Sequence, residues 1–546
     1  MRRLLGGAAL LLGLGGGAMA APVAGDCGTI ILPTGIGIAP GADITGFNPL
    51  LSNSLYNAEA AGAMFQPLIW VNGWTLGIDW SRSLASAIAT PDEGLSFDVT
   101  MRPWMWSDGA PVTSADVAFT WKLIQQFGPA YAGYGAGGMP GIVRELRVTG
   151  PRSFTVLLRR RVNPQWFILN GLGQLTPLPA HAWAAYDSDE IYQRQSDVGF
   201  FQVVDGPLRP AALNIGQDMV FTPNPVWPGG GLHFSRLIFK FVQSAGQTLQ
   251  QFEAGELDMI NAPMALWRVI QSLPGARMAR LAPGIGFDEM ALNLRNPEVA
   301  FFRDVRVRQA MADAIDQEEM ISLIDHGLGE AHRGPVPPQP PVFLTPAMRD
   351  GRYPVGYDPA RARALLREAG FTPGPDGILE KNGQRLSFTE LTGADNAAGE
   401  QMTVMIQAYL RRVGIEMKAR RIEFNQMLAL LNDPGADWQA AALGESGTAY
   451  PTGEDLFKTG SYGNAGGYSD PEMDRLIDAS TSEPGLEALY AYETYASAQQ
   501  PVIFLPTGAV ALLVKERIAG AAGFADPLGN YDYAALSCPG PARPRP

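Results

Sequence analysis

The sequence predicts an α/β protein, and three observations carry that expectation. Stretches that alternate apolar and polar residues in β fashion interleave with segments striped at the helical period along the whole chain. Several helical segments open on a capping signal and close on glycine. Finally, 46% hydrophobic and 17% charged residues over 546 positions is the composition of a chain that buries more than one core. At roughly 150 residues per domain the length corresponds to about three to four domains.

Residues 1–20 read as a secretory signal: Arg2 and Arg3, an apolar glycine-rich stretch too short to span a bilayer, then Ala18-Met19-Ala20 as the small-residue cleavage pattern. Cleavage after Ala20 removes two arginines and no acids, so the formal charge moves from −13 to −15. Asp26 directly before Cys27 does not suit a lipid-attachment box, and Arg2-Arg3 lacks the flanks of a twin-arginine signal. Secretion into an oxidising compartment without a lipid anchor is therefore expected.

Residues 29–32 are a strand candidate, and 63–71 read as a helix running into a strand. Residues 97–102 alternate as a strand and 104–112 form a loop. Thr113-Ser114-Ala115-Asp116 then resembles a capping box opening a helix faced by Val117, Trp121, Ile124 and Phe127. Residues 153–158 read as strand, and Arg159 to Arg161 as its solvated end. Asp304 caps a helix striped by Val307, Ala310, Met311, Ala314 and Ile315. Because Asp313, Asp316, Glu318 and Glu319 follow its Arg303, Arg306 and Arg308, an ordinary solvated helix is expected. Residues 334–346 are proline-rich and read as a surface crossing or linker. Asp358-Pro359 starts a helix that Gly370 ends; Met402, Met405, Ile406, Tyr409, Leu410 and Val413 stripe another closed by Gly414; Asp470-Pro471 caps a further one. The apolar run 501–514, broken by Pro506, reads as buried strand.

Chemistry is constrained mostly by exclusion. Six lysines in an acidic chain offer no general basic surface, so nucleic acid is not an expected partner. Four histidines and two cysteines leave no zinc ribbon, iron–sulfur motif or histidine tract, and no metal or cofactor is expected. Gly133 to Gly138 matches G-x-G-x-x-G literally but follows a helix and runs into Met139-Pro140-Gly141, the context of a loop rather than a pyrophosphate cradle. Neither a nucleophile elbow nor a phosphate loop occurs, and no catalytic residue is expected.

Residues 97–121, FDVTMRPWMWSDGAPVTSADVAFTW, resemble the solute-binding proteins of peptide-type ABC importers, the family 5 extracellular receptors. Further blocks similar to that family follow the same order: Phe47-Asn48-Pro49, Gly206-Pro207, 224–227, 254–258, 303–316 (RDVRVRQAMADAID), 357–371 (YDPARARALLREAGF), 468–476 (YSDPEMDRL) and 526–529. The resemblance implies a two-lobed periplasmic binding protein with ligand enclosed between lobes. It places lobe I at 21–287 with an extra subdomain about 72–200, lobe II at 288–502, and the return to lobe I at 503–546. The crossings then fall near 286–293 and 501–506.

The same resemblance supplies candidate site residues and shows where this chain departs. Dipeptide receptors of the family use a Trp-Thr-Gly-Asp loop whose aspartate meets the ligand's ammonium; Ala442-Leu443-Gly444-Glu445 stands there, so Glu445 is the candidate and the stacking tryptophan is missing. Glu400-Gln401 stand where those receptors have an arginine pair, one of which holds the ligand carboxylate. Ser52, Asn53 and Ser54 match a polar loop lining the cleft in lobe I. A monomeric receptor is implied that captures a short peptide or amine-bearing compound and delivers it to a transmembrane permease, without covalent chemistry. An opine, an oligosaccharide, a metal chelate, or a chaperone or sensory role on the same scaffold are the alternatives. Because both termini of the family pattern belong to lobe I, Cys27 and Cys538 are expected to pair in an oxidising compartment.

Overall fold

The computed structural model describes residues 26–37, 43–52, 54–242, 244–281, 284–394, 397–433, 435, 437–508 and 510–539; the expected signal at 1–20 lies outside the described residues. Near the N-terminus, strand Thr29–Pro33 runs parallel to Arg236–Lys240, which pairs antiparallel with Asp218–Pro223, itself paired with Leu208–Asn214. A second sheet places Ala511–Lys515 between Met259–Asn261 and Ala276–Arg280. A third, antiparallel, is Ala85–Ala89, Ser96–Met101, Ser153–Leu158 and Val143–Gly150. The fourth has five strands in the order Glu416–Ile422, Ser387–Gly393, Ala440–Glu445, Phe287–Leu292 and Ile503–Leu505. The chain thus enters the five-stranded sheet at Phe287–Leu292 and leaves it at Ile503–Leu505, and these two strands lie side by side. The apolar run 501–514 is two buried strands in two different sheets.

Local signals produce the expected elements. Thr113 and Asp116 form a complete capping box on helix Ser114–Phe127, and Asp116 also accepts from the Ala180 amide at 2.9 Å, so one carboxylate closes the helix and anchors a neighbouring turn. Asp358, Asp470 and Asp304 cap the helices Pro359–Glu368, Pro471–Ser482 and Val305–Ala314. Gly137 lies so close to Gly171 that an added Cβ would stand 2.3 Å from its backbone nitrogen. That glycine is there for close packing, in keeping with the loop reading of 133–138.

Three expectations need correcting. Over 63–71, expected as a helix running into a strand, the helix is Leu55–Met64, capped by Ser54, and only the strand at Val71–Asn72 follows; Pro67 disfavours helical geometry at Gln66, and the alanines before Ala63 carry the helix instead. The proline-rich stretch 334–346 is a surface crossing only in part: Gln339, Pro341 and Val342 are exposed, whereas Val336, Phe343 and Leu344 are buried in the large core. Arg308, on the helix read as solvated, is buried: its Nε donates to the carbonyls of Gln499 and Gln500 at 3.0 and 2.9 Å, and its Nη1 to those of Phe302 and Arg303 at 2.7 and 3.2 Å. One guanidinium thus ties the left-handed turn at Gln500, φ 47°, to the start of the helix. Arg308→Met should cost about 3 kcal/mol in denaturant unfolding, because four carbonyl contacts lose a charged donor, whereas Arg306→Met, at an exposed ion pair, should leave the midpoint nearly unchanged. Equal effects of the two substitutions would contradict this assignment.

The chain ends are joined. Cys27 and Cys538 form a disulfide across a sequence separation of 511 residues. Beside it Arg517 makes a two-pronged ion pair with Asp258, at 2.7 and 2.5 Å, and donates to the carbonyls of Cys27 and Thr29.

Candidate functional site

In the five-stranded sheet, Glu416–Ile422, Ser387–Gly393 and Ala440–Glu445 are parallel, with Ser387–Gly393 between the other two. Helix Ala397–Arg412 connects the first pair in sequence and packs Ile406, Tyr409 and Leu410 against the face carrying Met290, Leu292 and Ala440. Helix Phe424–Leu431 makes the next connection and packs Met427 and Leu431 against the opposite face, with Ala291, Leu391 and Ala441. Connections that leave toward opposite faces make the strand ends between them a topological switch point, where open α/β sheets form a crevice. Here the crevice is real. Ser387–Gly393 and Ala440–Glu445 pair only at Glu390↔Ala440 and Leu391↔Ala441, then diverge around a cavity of about 510 Å³.

That fork is acidic. Asp288, Glu289, Asp325, Glu390 and Glu423 line it together with the apolar Ile324, Met402, Ile406, Met427 and Leu505, and no lysine, arginine or histidine is among its described lining residues. A second cavity of about 280 Å³ adjoins it through Asp288 and Gly444, and is walled by Glu445 and by Asp526, Leu528 and Tyr531 from the C-terminal segment. Two more cavities continue along the same cleft. One of about 280 Å³ carries Glu454 and Asp455, and one of about 400 Å³ carries Glu59 among Phe65, Trp70, Tyr131, Tyr531 and Tyr533. All four lack a basic residue in their described linings.

Burial shapes the chemistry of these acids. Desolvation raises Asp288 to about 7, with the charge of Asp325 adding to it. Glu390 is raised to about 7 by burial, against the lowering effect of the Thr403 hydroxyl, which lies 3.3 Å from its Oε2; its Oε1 is buried without a hydrogen-bond partner. Glu445 is raised to about 7 by burial, and Glu289 well above the usual glutamate range by burial and then by the charges of Glu445 and Asp288. Register explains that coupling. Glu289 pairs with Leu443 and Phe287 with Glu445, so the two glutamates are diagonal neighbours on one face, about 7 to 8 Å apart or slightly less between Cβ atoms. In the aromatic cavity, burial raises Glu59 to about 8, while the Gly35 amide, 3.0 Å away, pulls the other way.

The residues singled out in the sequence are dispersed. Glu445 lines the cavity next to the fork. Glu400 lies on helix Ala397–Arg412 and is held in an ion pair with Arg421 at 2.9 Å, beside but not lining the fork; Gln401 is exposed. Ser52 lines the aromatic cavity, with its hydroxyl donating to the Asn48 carbonyl at 2.7 Å. Ser54 caps a helix, its Oγ accepting from the Tyr56 amide at 3.3 Å. Asn53 lies outside the described residues. Sequence reasoning missed Asp288, Glu289, Glu390, Glu59 and Glu454. The available signal was acids set within apolar strands, as in GFDEMAL and SFTELTG.

Several α/β sheets, one of them with a switch-point crevice, and a run of cavities beside it are the architecture of the two-lobed periplasmic binding proteins. The chain belongs to the bacterial extracellular solute-binding proteins, family 5, whose model matches residues 80–467. It is 26% identical over 475 residues to the oligopeptide-binding protein AppA of Bacillus subtilis (strain 168), covering 84% of each chain. The structure of that AppA with a nonapeptide superposes with TM-score 0.72 at 22% identity, over 94% of this chain and 100% of that one. NikA from Brucella suis in complex with Fe(III)-EDTA superposes with TM-score 0.74 at 19% identity, over 93% and 99%.

Proposed function

We propose that this chain is a periplasmic receptor for cationic solutes, foremost peptides or other amine-bearing compounds, which it passes to the permease of an ABC importer. The observation that carries the ligand class is the lining of the cleft: acidic side chains in each of the four cavities, with Glu59, Glu289 and Glu390 buried, and no basic side chain among the described lining residues. Burial disfavours the ionised forms of Glu289, Glu390 and Glu445, so a cation entering the cleft offsets part of their desolvation. Glu445 and Glu289 together take an ammonium group, replacing their mutual repulsion with two attractions. An anionic chelate or opine would meet like charge, which disfavours those alternatives.

Binding of this kind depends on pH with a definite sign. A cation needs the ionised acids, and Asp288, Glu390 and Glu445 hold their protons up to about pH 7. Affinity should therefore rise from pH 5.5 to 7.5, by about tenfold or more for each proton released, and level off above. Calorimetry with the amidated peptide Ala-Ala-Lys-Ala-Ala tests this. Flat or falling affinity over that range would contradict it.

A further inference from the structure

We propose that the fork between Ser387–Gly393 and Ala440–Glu445 is a side-chain pocket for a lysine- or arginine-like group of the bound solute, with Glu390 as its specificity-determining carboxylate; this rests on the reading of the cleft as a receptor for cationic solutes. The pocket has two chemistries in series, and such a side chain has the same two. Ile324, Met402, Ile406, Met427 and Leu505 give apolar walls suited to an aliphatic stem, and the carboxylates give a polar end suited to its charged head.

Glu390 is the residue that a purely structural account leaves unexplained. It is 1% exposed, on a strand otherwise packed against apolar neighbours, where a leucine would stabilise the fold without desolvating an acid. One oxygen faces the Thr403 hydroxyl; the other is buried and unpartnered, and the residue lines the cavity. An acceptor left vacant in this way costs stability unless something occupies it. The backbone register also supplies a path to it. Glu390 pairs with Ala440 and Asp288 with Gly444, so both acids lie on one face of the sheet, two strands and four residues apart. Their Cα atoms are then about 16 Å apart by strand geometry. Asp288 is shared with the adjoining cavity and marks the mouth; Glu390 is the inner end. A group entering from the cleft passes from one acid to the other along apolar walls.

The test uses five amidated alanine pentapeptides carrying one lysine at each position in turn, and the five norleucine counterparts, which keep the stem and lack the ammonium. Against the wild-type protein, lysine should be preferred over norleucine by about tenfold or more at one position. In Glu390→Gln that preference should shrink to about threefold or less while the norleucine peptide binds as before. Glu390→Leu, in which no acid needs desolvating, should reverse it in favour of norleucine, which keeps the test decisive if the glutamine variant folds poorly. A lysine preference that survives both substitutions overturns the pocket and leaves the receptor reading standing, as does binding of lysine peptides with no preference over norleucine at any position. Failure of all ten peptides to bind overturns both.

Discussion

Glu445→Gln should weaken the binding of a cationic peptide by at least about 30-fold and, in the same protein, raise the stability of the ligand-free form at pH 8. The first effect follows from truncating one member of a desolvated charge pair, which costs about 2 to 5 kcal/mol. The second follows from the proton balance. An unfolded glutamate ionises near 4.5, whereas folded Glu445 keeps its proton to about 7, so between those values the folded chain binds more protons and loses stability as pH rises. Above pH 7 the accumulated penalty is about 3 kcal/mol at one pKa unit per 1.4 kcal/mol. Glutamine does not ionise and escapes it. The stability gain of the variant should therefore be small at pH 4.5, grow to pH 7 and stay constant above. Melting curves at pH 4.5, 6 and 8 check this. A variant that loses neither affinity nor the pH-dependent penalty would place Glu445 in solvent, outside the binding cleft.

Replacing Cys27 and Cys538 by serine should lower stability by up to about 5 kcal/mol, the entropy of a loop whose ends lie 511 residues apart in sequence. The disulfide sits beside the Arg517–Asp258 pair, which also holds the carbonyls of Cys27 and Thr29, so the first strand should fray with it. Guanidinium unfolding of oxidised and reduced protein measures the difference. Identical midpoints, or recovery of both cysteines as unlinked thiols in non-reducing peptide maps, would contradict it.

What the sequence made legible was local or collinear. The capping box at Thr113, the aspartate caps and the closing glycines at 370 and 414 depend on residues within one turn of each other, and the helices they predict are present. The family resemblance led to Glu445, since loop order survives where pairing cannot be read. The acids that line the cleft were hidden, because their grouping comes from strand register. Asp288 and Glu390 are 102 positions apart and share a sheet face only through Ala440–Glu445 between them. Arg308 misled for a related reason: it lies at the margin of its helix's apolar stripe, and only the packing of the Gln499–Gln500 turn above it shows that it is enclosed. The prolines of 334–346 read as surface by type, yet Val336, Phe343 and Leu344 among them are core.

The most direct measurement is competitive retention: the protein is mixed with equimolar cationic, neutral and anionic amidated pentapeptides, desalted, and analysed by native mass spectrometry at pH 7.5. Cationic members should be retained in one-to-one complexes and anionic members excluded. Preferential retention of the anionic peptides would contradict the account, because no described basic side chain lines the cleft to receive them.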